Sequence, residues 1–134
     1  MGVRRGAREL ALQALFFADI QTNDRHEAVA LFREHFITRE AFLPFFDTLT
    51  EGVMTHREEI DATIANRSKN WKVYRMSSVD RNALRVGVFE ILFLDDVPDK
   101  VAINEAIEIG KHFGTAESGA FINGILDAIS ADNK

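Results

Sequence analysis

Apolar residues recur at three- and four-residue steps along most of the chain, and no segment alternates in the two-residue rhythm of a half-buried strand. That periodicity restricts the fold to packed helices. Ala7, Leu10, Ala11, Ala14, Leu15 and Ala18 set an amphipathic helix over residues 4–19, broken by Asn23 and Asp24. Ala28, Leu31, Phe32 and His35–Phe36 give a shorter second helix. Pro44 suits the first turn of a third, which Leu49, Val53, Ile60 and Ile64 carry to about residue 66. Residues 66–76 read as a connection, with Trp71 and Tyr74 as its apolar anchors. Ser77 and Asp80 form a capping pattern for a fourth helix. Ala83, Leu84, Val86, Val88, Phe89, Ile91, Leu92 and Phe93 cover so much of its circumference that it should be central. Pro98 and Asp99 open a fifth helix, which Gly114 closes. A sixth runs over residues 118–131, with Phe121, Ile122, Ile125, Leu126 and Ile129 inward. The expectation is an all-α helical bundle of six helices in one domain, residues 1–134, dividing near 67–76.

Composition removes several functions. The 134 residues include no cysteine, which excludes a disulfide framework, a thiolate metal site and a Cys nucleophile. No apolar run is long enough to span a bilayer, and no apolar signal core follows the first arginines. The chain therefore reads as cytoplasmic. His26, His35, His56 and His112 are scattered. His56 and Glu59 stand three apart on one helix, without a second such pair to complete a metal site. Gly114, Gly119 and Gly124 lack the Gly-Lys-Ser/Thr ending of a phosphate loop. Glu105 and Glu108 share a helix face and read as solvated. The expectation is no catalytic residue, no metal and no cofactor.

Charge is distributed unevenly. The net charge is −5, yet Arg4, Arg5 and Arg8 stand against Glu9 alone within residues 1–18. A basic corner on an acidic protein can hold nucleic acid locally, because screening hides the distant charges. On composition alone a solvated helix start is the commoner reading, since short charge clusters are frequent on surfaces. Phe16 and Phe17 are adjacent and cannot both face the core, so one should lie exposed beside the basic face as a platform for a base.

Four motifs occur in order: Arg4-Arg5-Gly6-Ala7-Arg8-Glu9 followed by Gln13-Ala14-Leu15; Asp80-Arg81-Asn82-Ala83-Leu84-Arg85; Val101-Ala102-Ile103-Asn104-Glu105-Ala106-Ile107-Glu108-Ile109 with Phe113-Gly114; and Phe121-Ile122-Asn123-Gly124-Ile125-Leu126-Asp127. In sequence and spacing the chain resembles the NusB family of bacterial transcription antitermination factors, from about Arg4 to Ile129 and most densely over 79–127. The resemblance implies two three-helix subdomains, about 1–70 and 71–134. It implies binding of boxA-type single-stranded RNA in ribosomal RNA leaders, jointly with NusE, a small-subunit ribosomal protein. The complex would join other Nus factors on RNA polymerase and suppress premature termination, with no catalytic step.

The resemblance also implies site residues. Arg4, Arg5 and Arg8 would contact phosphates. Gln13 would bond a base edge or pack as a neutral surface residue, and Phe16 would stack. In the Glu117-Ser118-Gly119-Ala120-Phe121 stretch, Ser118 would bond RNA or cap its helix, and Phe121 would stack or join the core. Tyr74 and Asp80 would face NusE, although Asp80 also fits the capping box. Gly6 and Ala120 stand where relatives often carry a basic residue, so each would cost a phosphate contact. Competing readings are a helical protein–protein adaptor, a homodimer that occludes its own RNA face, and an RNA-targeting domain like that of some ribosomal RNA methyltransferases.

Overall fold

The computed structural model describes residues 2–21 and 24–133, in which seven α-helices and two short 3-10 turns carry all the regular structure. Helix α1 spans Val3–Ile20 and α2 spans Arg25–Phe36. The alanine-rich stripe of α1 is fully interior: Ala7, Ala11, Ala14 and Ala18 are all buried. Such small side chains let α2 and α3 approach closely. Helix α1 ends at Ile20, before Asp24, whose carboxylate instead accepts the His26 N–H at 2.8 Å and caps α2. Asn23, the other expected breaker, lies outside the described residues.

The long third helix expected over 44–66 is two helices, α3 (Leu43–Thr55) and α4 (Arg57–Arg67), which makes seven helices rather than six. The break is at His56, whose backbone leaves the helical region (φ −104°, ψ 20°). Its ring stacks on Phe93, 4.1 Å between centroids. Gly52, one turn earlier, presses against Phe89, and a Cβ there would collide with that ring. Residue spacing could not reveal the break, because both halves keep the same apolar stripe and the kink arises from packing on a distant helix.

Helix α5 (Ser78–Phe93) is the centre of the molecule, as its wide apolar stripe predicts. Residues 82–91 are all buried, and α5 packs on α1, α3, α4, α6 and α7. The Ser77 hydroxyl accepts the Asp80 N–H at 3.1 Å and caps its start. Helices α6 (Asp99–Phe113) and α7 (Ser118–Asp132) complete the bundle. Gly114 ends α6 as expected, donating its N–H to the Gly110 carbonyl. Helix α4 packs more on α5 and α7 than on α3. Helices α1 and α3 also pack on α5, so the two halves of the chain share one core.

Trp71 and Tyr74 are not anchors of the connection: they are 56% and 73% exposed. Buried Met76 and half-buried Val73 hold it instead. Arg81 fastens it further by donating to the carbonyls of Val73, Tyr74 and Met76. The same guanidinium bonds Asp19 at 2.9 Å, as does the Asn82 amide. Burial pushes the Asp19 carboxyl up, but Asn82, Arg85 and Arg81 outweigh it and hold Asp19 below its ordinary range. This cluster fixes the C-terminal end of α1 against the first turns of α5.

Candidate nucleic-acid interface

Helix α1 presents its first arginines differently from one another. Arg4 and Arg5 are surface residues whose guanidinium groups are held by carboxylates of the second half of the chain. Arg4 donates to Asp96 at 2.8 Å and lies over the Phe45 ring, 4.4 Å from its centroid. Arg5 grips both oxygens of Glu105 at 2.6 and 3.0 Å. That pairing holds Glu105 below the ordinary carboxylate range, against the opposing effect of burial. Both arginines are about half exposed, so their outer N–H groups still face solvent.

Arg8 is elsewhere. It is 4% exposed and forks onto Glu90 of α5 at 2.6–3.1 Å. An arginine so enclosed presents little of its guanidinium to a phosphate. It positions α1 against α5, and the expected third cation of the site is corrected to an interior tie. Burial raises the Glu90 carboxyl above its ordinary value, while Arg8 pulls it down. Gly6 is also interior, where a Cβ would meet the Phe42 ring. A longer side chain there would have no outward path, so Gly6 costs the surface no cation.

Farther along α1, Gln13 is half-buried and donates to the Glu9 carbonyl at 3.1 Å. Phe16 is 40% exposed and Phe17 half-buried, so the adjacent pair divides as expected. Both belong to an open apolar groove of about 410 Å³, walled by Ile20 of α1, Phe32 and Phe36 of α2, Val79 of α5 and Phe113 of α6. Ile20 and Phe36 are more than 60% exposed on its rim. Sequence spacing missed this groove because Phe36 and Phe113 each end a helix, and only the fold brings them to Phe16.

At the start of α7, Ser118 is 1% exposed and its hydroxyl accepts the Thr115 N–H at 3.0 Å. This bond closes the turn before α7 and does not cap the helix, which has no side-chain cap, so the expected capping role is corrected. Close packing reinforces the turn: a Cβ on Gly114 would strike this hydroxyl. Glu117 and Ala120 are exposed. Phe121 is half-buried, one side packed on the core and the other lining a cavity of about 200 Å³. Trp71, Arg75, Met76, Ser77, Asp80 and Glu117 form the rest of that cavity. One Asp80 oxygen is buried without a partner. The first turn of α5 thus divides two features, with Val79 on the groove and Asp80 on the Phe121 cavity. No group of three or more potential metal ligands converges among the described residues.

Residues 5–131 match the NusB family model. The chain belongs to the NusB family. It is 55% identical over 129 residues to the transcription antitermination protein NusB of Desulfatibacillum aliphaticivorans, covering 96% of this chain and 90% of that protein. It is 46% identical to the NusB protein of Myxococcus xanthus, covering 97% and 96% of the two chains. Among solved structures, it superposes on T. maritima NusB with a TM-score of 0.85 at 35% identity, over 96% of this chain and 91% of that one. A structure of NusB and NusE in complex with dsRNA gives a TM-score of 0.82 at 29% identity, over 97% of each chain. In this NusB fold, the residues that sequence reasoning overlooked are the acids Asp96, Glu90 and Glu105, which face the three N-terminal arginines. Glu105 was expected to be solvated with Glu108. Only Glu108 is exposed, while Glu105 turns inward to Arg5.

Proposed function

We propose that this NusB-family chain is a non-enzymatic antitermination factor that binds boxA-type single-stranded RNA together with NusE. In that complex it would act in the cytoplasm with other Nus factors and help RNA polymerase resist premature termination. The observation carrying this reading is the exposed face of α1. It runs from the half-exposed guanidinium groups of Arg4 and Arg5, past Gln13, to the exposed ring of Phe16. Single strands bind where cations meet the backbone and flat apolar groups meet unstacked bases. Phosphates would exchange with Asp96 and Glu105 for the outer N–H groups of Arg4 and Arg5. Glu117 and Phe121 would form a second contact at the start of α7. No helix among the described residues is long and apolar enough to cross a membrane, which fits this setting.

The apolar groove supports the protein half of the reading. A contiguous exposed patch of phenylalanine and isoleucine marks a protein-binding surface more often than an RNA surface. NusE would cover its Ile20 and Phe36 rim, leaving Phe16 to the RNA, and reach the first turn of α5 and the connection at Tyr74 and Asp80. The same groove favours a second reading, a homodimer that buries Phe16. The test is a titration of labelled boxA-type RNA at two salt concentrations, with and without NusE, alongside sedimentation of the chain alone. RNA affinity that rises with NusE and falls with salt supports the proposal. A stable dimer that binds no RNA in either condition favours the second reading.

A further inference from the structure

Residues 67–75, Arg-Ser-Lys-Asn-Trp-Lys-Val-Tyr-Arg, carry four cations and no acid in a chain whose net charge is −5. Arg67 is paired with Asp132. Lys69, Lys72 and Arg75 are exposed and have no carboxylate within ion-pair distance among the described residues. The contrast with α1 is direct, because Arg4, Arg5 and Arg8 are all engaged by acids. The uncompensated positive charge of the basic segments therefore lies on the connection between α4 and α5.

The connection also holds the chain's one tryptophan, exposed where an interior anchor was expected. Trp71 forms a wall between two cavities. One is the cavity shared with Phe121, Asp80, Glu117 and Arg75. The other, of about 400 Å³, is lined on the same connection by Lys69, Lys72 and Tyr74. A large exposed indole costs solubility unless something covers it, and its flat face beside free cations suits an unstacked base.

We infer that the Trp71 ridge, with Lys69, Lys72 and Arg75, is a second single-stranded RNA subsite that takes nucleotides flanking those held at the start of α7. The inference rests on the RNA-binding reading above and extends it. A base would stack on Trp71 across from Phe121, and the phosphates on either side would meet the lysines and Arg75. An acidic protein segment is the competing occupant, and the free aromatic platform favours RNA over it.

The experiment measures full-length chain, with and without NusE, against a boxA-type RNA and the same RNA extended by several unpaired nucleotides at either end. Trp71→Ala should lower affinity for one extended RNA about five- to hundredfold and leave the short RNA little changed. Trp71→Phe should restore most of the loss. Lys69→Gln with Lys72→Gln should flatten the log–log salt slope for the extended RNA by about 1.4. If wild type binds extended and short RNA alike and none of these variants changes either, the second subsite is overturned and the first reading stands. If wild type binds neither RNA, even with NusE, the RNA-binding reading itself falls and takes the inference with it. Variants that lose NusE while keeping wild-type affinity for both RNAs would make the ridge a protein surface and overturn the inference.

Discussion

Arg8 of α1 and Glu90 of α5, 82 residues apart in sequence, face each other fork to fork inside the protein, with side chains 5% and 1% exposed. Arg8 also lies 3.5 Å from Glu105, so one interior guanidinium ties α1 to both α5 and α6. Arg5 reaches the same Glu105 from the surface. The proposed RNA-binding end of α1 is thereby set by acids from the other half of the chain. Breaking such a buried pair is costlier than replacing it, because the surviving charge is left without a partner. Arg8→Ala should lower folding stability by about 3–5 kcal/mol. The double change Arg8→Met with Glu90→Leu should be far milder, within about 1–2 kcal/mol of wild type. Urea unfolding of the three proteins checks this, and equal losses in single and double variants would refute it.

Surface arginines should behave differently. Arg4→Ala and Arg5→Ala together should weaken RNA binding and flatten its salt dependence by about 1.4 in log–log slope. Stability should change little, since exposed ion pairs are screened by solvent and salt. An unchanged slope would remove these two residues from the interface.

Phe121 should show both of its roles in part. Its ring is half-buried, one side on the core and the other on the cavity beside Trp71. Phe121→Ala should reduce RNA affinity about tenfold or more, while costing less than the roughly 3–5 kcal/mol of a fully buried phenylalanine. Calorimetry and an RNA titration on the same preparation separate the two. A full core penalty with unaltered RNA affinity would assign Phe121 to packing alone.

The groove predicts a separate phenotype. Ile20→Asp or Phe36→Asp places a charge on a rim residue more than 60% exposed, so the fold should hold. NusE binding should fall at least tenfold, because a charge buried in an apolar interface lacks a partner. RNA affinity of the chain alone should stay within about twofold. NusE affinity that survives both substitutions would move the partner to another face.

Acid should loosen the fold through Asp19 and not through Glu90. The folded pKa of Asp19 is lowered, so its contribution is present above the unfolded value and is lost as pH falls through the folded one. Glu90 is raised, so its contribution is greatest below the unfolded value and declines as pH rises through the folded one. Asp19→Asn should therefore reduce stability at neutral pH and flatten the decline between neutrality and about pH 3. Thermal melts across that range test the sign. An acid limb as steep as wild type would show that other carboxylates govern it.

Sequence alone determined the family and every helix but the division of the third, because these reside in local patterns. Three- and four-residue apolar spacing is written into each segment, as are the Ser77 cap, Pro98 at the start of α6 and the closing Gly114. The Arg4-to-Glu9 motif and the Val101-to-Ile109 run are equally local. Tertiary structure decided which members of those motifs reach solvent. Arg5 and Arg8 look alike in sequence and, three apart on one helix, share a face that reaches Glu105; packing leaves Arg5 at the surface and encloses Arg8 against Glu90. The break at His56 needed Phe93 and Phe89 from another helix. The groove needed Phe16, Phe36 and Phe113, nearly a hundred residues apart, to meet. Trp71 was expected inside because aromatic rings usually are, yet Met76 and Val73 already fill the interior beneath the connection and leave the indole in water. Periodicity reports which side chains can share a face, and only packing decides which face is covered.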